Sequence, residues 1–432
     1  MKKYFPIIIS LLLLVLTIIS WDYIKIPYNE DNLIFGEYFK KKFNPYNEIL
    51  RFSFFIIVPV TTYLILYLKF EKSTFSLSKK DHNYFLKNFN RELVVKKDLN
   101  LISYLFLIFI FFDFLSTDFE RLLFIDTFHD SVFLTPSINQ IINKGFFTST
   151  LYDYGFTGNN LGLIYNFIFG NYSLGSINFI KLVLILIVKI LLLLISRKLI
   201  NYYIYDSFSK KIFFIIFTFA LLSLPNYYDL TSYFSPRTAL YLLFIYLIGS
   251  ALCENNYKKV KFFLIGAFSP ISLLWWFDIG FYINFLIIIL AGFLLIHSNN
   301  KNFLSLILGI FFSWLLLFIS MPMEELKAFF YNLSFILTTT NYLIGIEYLK
   351  PFSEGSSRWT KALLVIYVSS ILLIHLNFSK KINLNIKAKI FLNIIFISGI
   401  VIFNSALTRS DSSHIKYSSG LYTLVLIFII LF

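Results

Sequence analysis

Apolar positions in this chain fall in long blocks rather than in alternation. Runs rich in Ile, Leu, Phe and Val lie at about 4–20, 50–69, 100–116, 176–196, 211–225, 238–253, 260–275, 279–297, 303–320, 360–377, 389–405 and 420–432. A helix rises 1.5 Å per residue, so about 20 apolar residues cross the roughly 30 Å hydrocarbon layer of a bilayer. The pattern predicts an all-α fold: a polytopic transmembrane helical bundle of about 12 spans. Two polar segments between runs are long, 117–175 and 321–359. Inside the first, "SVFLTPSINQIINKGFF" reads as a short amphipathic helix with Leu134, Ile138, Ile141 and Ile142 on one side, ended by Gly145. "LYDYGFTGNN" is rich in turn residues. "LGLIYNFIFG" is apolar but too short to span, which suits an interfacial helix. The predicted organisation is two N-terminal spans plus a basic loop over 1–99. A transmembrane core over 100–432 comes next, with short juxtamembrane helices in its large outer loop, 117–175.

Composition strengthens this reading. Of 432 residues, 58% are hydrophobic and only 14% are charged, too few charges to solubilise a globular domain of this size. The net charge of +14 comes largely from alternate loops: "KKDHNYFLKNFNRELVVKK", "SRK" with "SKK", "NNYKKVK" and "SKKINLNIKAK". Basic loops face the cytoplasm, so the chain reads as a multi-pass inner-membrane protein with a cytoplasmic N-terminus. The positive charge calls for no nucleic acid. "KKK" at 40–42 breaks the alternation. The start, "MKKYFPIIISLLLLVLTIIS", has a basic head and an apolar core but no small-x-small cleavage site, and reads as an uncleaved first span. A single cysteine, Cys253, excludes an intrachain disulfide and a thiolate cluster.

With this orientation the concentrated sets of acid, His and Arg outside the basic loops fall on the outer side. "FIDTFHD" supplies Asp126, His129 and Asp130, which share a face if helical. Such a set offers a carboxylate base and a donor set for a divalent cation, whereas Asp130 alone can also cap the next helix. "TRSDSSHIKYSSG" supplies Arg409, Asp411, His414 and Lys416. Arg409 suits a bidentate phosphate contact, and Asp411 can orient His414 or Lys416; a polar hairpin is the plainer alternative. Arg237 in "SPRTAL" either binds phosphate or snorkels to headgroups. "NYYDLTSYFSPR" also holds Asp229, and "WWFDIG" places Asp278 in a tight turn. There Trp275 and Trp276 read as an interfacial belt. Glu324 and Glu325 read as the first turn of a surface helix, where acids suit the dipole. Lys181 and Lys189, inside a span, either snorkel or meet a lipid phosphate. There is no phosphate-binding Gly-rich loop, zinc-type Cys/His set, G-x-S-x-G or dinucleotide fingerprint.

An acidic early outer loop with short helices, 117–175 beginning at "DTFHD", and a late outer "R-S-D-x-x-H" at 409–414 resemble features of the polytopic GT-C superfamily glycosyltransferases. The resemblance covers about 100–432. It departs in one respect: the acidic loop usually follows the family's first span, whereas here two additional spans, 4–20 and 50–69, come before the span that leads into it. The resemblance implies transfer of a sugar from a polyprenyl-phosphate donor to a cell-envelope glycan or lipid acceptor at the periplasmic or extracellular face. Asp126 or Asp130 would then be the base, with His129 beside them. Arg409, Arg237 and Lys416 would meet the leaving phosphate, with Asp411 and His414 in the same wall. No cofactor is assigned; a divalent cation is an open alternative, and Asp126, His129 and Asp130 would be its ligands. The alternatives are a polysaccharide polymerase or ligase, and a lipid-linked-sugar flippase or transporter. "IGAFSPISLL", with Gly266 and Pro270, is the sequence cue for the broken helix that transport favours.

Overall fold

The computed structural model describes residues 4–28, 36, 40–70, 99–123, 130–152, 154–170, 173–203, 207–225, 232–379, 386–407 and 412–432, without the side chains of 121, 130–132, 340–344 and 412. Its regular elements are helices: α1 Phe5–Ile19, α2 Tyr46–Phe70, α3 Asn100–Leu115, α4 Asp130–Asn143, α5 Leu161–Phe169, α6 Leu174–Tyr203, α7 Ser207–Leu222, α8 Thr238–Cys253, α9 Lys258–Trp275, α10 Phe277–Ile296, α11 Asn300–Ser320, α12 Met323–Ile344, α13 Ser357–Phe378, α14 Ile386–Phe403 and α15 Ser412–Leu431. Each predicted apolar run is helical. Seven of these helices (α2, α6, α10, α11, α13, α14 and α15) are long and apolar enough to cross a membrane, and α1, α3 and α8 are shorter apolar helices. This is an all-α, multi-pass membrane protein.

The chain folds as two compact units, residues 1–93 with 339–432, and residues 94–338. The expected core over 100–432 is thus divided between them. In the first unit, α1 and α2 pack with α13–α15. Their shared core contains Leu14, Trp21, Phe55, Tyr348, Trp359, Phe403 and Tyr422. Polar bonds inside the apolar helices fix the pairing: the Ser10 hydroxyl donates to the Pro59 carbonyl at 2.9 Å and lies 2.7 Å from the Tyr367 hydroxyl. At one end, Arg51 is sandwiched between the rings of Trp21 and Phe43, 5.3 Å from each. Its Nε donates to the Ile24 carbonyl at 3.2 Å, and its Nη1 reaches Glu48 and Glu347 at 3.4 Å each. One guanidinium thereby joins the loop after α1, the start of α2 and the segment before α13. A π-helical turn, Ser53–Ile57, lies just beyond it inside α2; such a turn widens the helix by a residue and rotates the remainder about its axis.

In the second unit, the 30-residue α6 touches neighbours on two sides through charged groups. Lys189 pairs with Asp113 of α3 at 2.6 Å, Arg197 donates to Asn100, and Lys198 donates to Ser250 of α8 and meets Glu254 at 3.0 Å. Neither alternative drawn for Lys189 from sequence holds: it neither snorkels nor needs a lipid phosphate, because α3 brings its own carboxylate. Two glycines set the tightest approach. A Cβ on Gly266 would lie 2.1 Å from the Leu306 carbonyl oxygen, and one on Gly309 would lie 2.0 Å from that of Phe263. Small residues let membrane helices touch backbone to backbone. Gly266 is therefore a contact residue, and α9 runs continuously through both Gly266 and Pro270.

Gly309→Val should separate α9 from α11 and lower stability by about 1–3 kcal/mol, the usual range for overpacking. Thermal unfolding in detergent, followed by helical circular dichroism, measures this; an unchanged midpoint would contradict the close packing.

Candidate functional site

The second unit gathers its polar chemistry at the end where α6, α8 and α10 begin and α9 and α11 finish. Between α4 and α5 the chain runs as a strap over this end. Its first anchor is Glu325 of α12, whose carboxylate accepts from the backbone N–H groups of Phe147 and Thr148 and from the Thr148 hydroxyl. Glu325 is 8% exposed, so it is no surface helix-dipole residue; Glu324 beside it is exposed. Burial alone would raise the Glu325 pKa, but the bonds from Thr148 and Phe147 outweigh it and hold the carboxyl below its ordinary 4.5. The second anchor is Asn332 of α12, which accepts from the Tyr152 N–H at 2.8 Å. Burial pushes the Tyr152 hydroxyl up to about 12, so it stays protonated and donates to the Phe146 carbonyl at 2.5 Å.

Glycine is required where the strap meets α9 and α10. Gly155 has φ +112, and a Cβ there would sit 3.1 Å from the Phe277 nitrogen; one on Gly158 would sit 2.8 Å from the Trp276 indole. A Cβ on Gly145 would be 2.3 Å from Thr148 Oγ1 and 3.1 Å from Glu325. Gly145 thus makes room for the carboxylate anchor, while the left-handed residue that ends α4 is Lys144, at φ 58. The apolar side read from the sequence for α4 is the one that faces away from the unit. Phe133 and Ser137 are buried against the unit, whereas Ile138, Ile141 and Ile142 are exposed. With Phe167, Ile168 and Phe169 of α5, also exposed, these form an apolar rim suited to lipid.

Inside the rim two rings and two cations are layered. Phe133 stacks on Tyr154 with centroids 5.9 Å apart and planes at 17°. The Lys181 ammonium lies 4.0 Å over Phe133, and the Arg237 guanidinium lies 5.6 Å over Tyr154. Arg237 is steered by Asp278 at 3.3 Å, and its carbonyl accepts from the Trp275 indole N–H at 3.3 Å. Trp276 is buried against Gly158. The two tryptophans are part of the site's frame: α9 ends at Trp275, Trp276 is extended, and α10 restarts at Phe277 with Asp278 in its first turn. Asp130 is the first residue of α4, three positions before Phe133. Helix α4, which begins with that acid, and the mouth of α8, which holds Arg237, meet across Tyr154.

No protein family, curated protein or solved structure matches this chain. The reading of the site therefore rests on its own geometry. A guanidinium laid on the Tyr154 ring and steered by Asp278 has the planar donor fork that suits phosphate, and the Lys181 ammonium on the Phe133 ring adds a second positive charge. Among the described residues, no three His, Cys, Asp or Glu side chains come together as metal ligands. Asp126 and His129, the expected partners of Asp130 in a cation site, lie outside the described residues, as do Asp229, Arg409 and Asp411. His414 and Lys416 are placed, in the first turns of α15 in the other unit. They begin a helix and not a hairpin, with the His414 ring 5.4 Å from that of Tyr417.

Several residues escape the sequence reading. It gives Lys181 no partner within the chain, and it does not single out Tyr154, Phe133 or Asn332. Glu48 and Arg51 stand three apart in "NEILR", a spacing that signals an ion pair on one helical face, but they lie at the edge of a predicted span, where the apolar run dominates the pattern.

The Glu325 anchor makes a pH prediction. A group whose pKa is lowered on folding contributes stability above its unfolded value and loses it as pH falls through the folded value. Hydrogen exchange at the Phe147 and Thr148 amides should therefore be slow at neutral pH and accelerate as pH falls below the ordinary carboxylate range. Glu325→Gln should exchange fast at every pH, and a pH-independent wild-type rate would remove Glu325 as the anchor.

Proposed function

We propose that this protein is a membrane glycosyltransferase that moves a sugar from a polyprenyl-phosphate-linked donor to a cell-envelope glycan or lipid acceptor at the outer face of the inner membrane. The observation that supports it is the meeting of Arg237 and the start of α4 across Tyr154, inside an apolar rim. Two chemical demands are answered there. The acceptor hydroxyl must lose a proton as its oxygen bonds to the anomeric carbon, and Asp130, or Asp126 four positions before it in sequence, supplies a carboxylate to take it. The bond from that carbon to the phosphate oxygen breaks and the electron pair leaves with the phosphate, whose charge Arg237 and Lys181 are placed to meet. The exposed apolar faces of α4 and α5 suit a donor that arrives through the bilayer. Lys198 and Lys261 sit at the opposite end of the unit with Glu254, alongside the basic loops, which supports an outward orientation for the site.

One observation favours a transporter or flippase instead: Lys189 and Asp113 form an ion pair within two apolar helices. Against it, the pair is closed at 2.6 Å, and α9, where a break was sought, is continuous.

Arg237→Ala and Asp130→Asn should each lower lipid-linked sugar turnover in membranes by about 10²-fold or more, the scale on which a lost charge-stabilising contact acts. Arg237→Lys, which keeps charge but loses the fork, should recover a part of it. Surface glycans and turnover at wild-type level in both variants, at normal protein abundance, would overturn the reading.

A further inference from the structure

The first unit has a groove of about 420 Å³ lined by Val60 of α2, Ser370, Leu373, Ile374, Asn377 and Phe378 of α13, and Asn393 and Phe396 of α14. Its polar members answer one another. The Asn377 and Asn393 amides exchange reciprocal bonds at 2.9 and 3.1 Å, the second N–H of Asn393 goes to the Lys389 carbonyl at 2.8 Å, and the Ser370 hydroxyl donates to the Ile366 carbonyl at 2.6 Å. A sugar or other polar ligand would find little there to bond. A hydrocarbon chain would find an apolar bed about 12 Å long, the rise of the eight residues from Ser370 to Phe378.

Only one end of the groove is different. There Lys389 donates to the Asn377 backbone carbonyl at 3.0 Å. An ammonium has three N–H donors, and that carbonyl takes one. Lys389 sits in the first turn of α14, beside the end of α13, where the sequence "SKKINLNIKAK" collects its positive charge. The level is that of the headgroups at the basic, cytoplasmic side, where anionic lipids concentrate. A chain-long apolar bed that ends on a lysine at headgroup depth has the charge order of an anionic phospholipid.

We propose that this groove is a binding site for an anionic phospholipid of the cytoplasmic leaflet, one acyl chain lying along Val60, Leu373, Ile374 and Phe396 and the phosphate at Lys389. The site is independent of the transferase reading. The test uses the full chain in nanodiscs of equal parts phosphatidylglycerol and phosphatidylcholine. Native mass spectrometry of the released protein should show phosphatidylglycerol retained about fivefold over phosphatidylcholine, the scale of one lysine near a charged surface. Lys389→Gln should abolish that preference and Lys389→Arg should keep it. A phosphatidylglycerol with a photoreactive acyl chain should crosslink within 370–378 and 393–396. Equal retention of the two lipids by the wild type, an unchanged preference in a helical Lys389→Gln protein, or crosslinks spread over all lipid-facing helices would each overturn the proposal. Should Lys389→Gln fail to fold, the wild-type preference and the crosslink map decide.

Discussion

A charge inside hydrocarbon must find a partner within the protein, and the second unit is organised around that requirement. Helix α6 places Lys181, Lys189, Arg197 and Lys198 along its length, and three of the helices that pack on it supply answering groups. Asp113 and Asn100 fix α3, Ser250 and Glu254 fix α8, and the Phe133 ring fixes α4. Between helices that are all greasy, dispersion and hydrophobicity distinguish neighbours poorly. Paired charges do so well, because a wrong register leaves an ion in lipid.

The same logic carries to the polar end. The strap between α4 and α5 buries Phe147 and Tyr152 against Phe277, Leu317 and Phe329, and its backbone is held by side chains of α12: a carboxylate on two N–H groups and an amide on a third. Those bonds let Gly155 and Gly158 lie against the α9–α10 corner, which brings Tyr154 beneath Arg237. The cation at the mouth of α8 is thus positioned by a chain of contacts that starts at Glu325, on a different helix.

The blocks of apolar residues made the helices legible, because a bilayer demands length and hydropathy and both are written in one dimension. The partners were not. Asp113 lay inside a predicted run and could not be assigned to Lys189, 76 positions away. Glu325 and the Trp275–Trp276 pair were given the roles such residues have on a membrane surface, yet Glu325 and Trp276 meet the strap and Trp275 bonds the Arg237 carbonyl. The apolar side of α4 was legible, but the direction it faces was not. In each case the cause is the same: lipid and protein interior look alike to a hydropathy pattern, so the pattern says that a face is dry without saying what dries it. The chemistry at "DTFHD" and "RSD" was legible as residue types alone, since Asp126, His129, Arg409 and Asp411 lie outside the described residues.

The Arg51 junction bears on how the chain is made. Its first unit joins the beginning of the sequence to the end, and Tyr348, whose N–H reaches the Glu48 carboxylate, lies 300 positions downstream. At about 5–20 residues per second of synthesis, the first two spans wait roughly 15–60 s for that partner. Over that interval Arg51 has Glu48, one turn away in the same helix, and its upstream neighbours Trp21, Ile24 and Phe43, but not Glu347. An intrahelical pair is the arrangement that lets a buried arginine enter a bilayer early and be claimed by its final neighbours late. The two residues thus serve as an escort during insertion before they become a clasp in the finished fold.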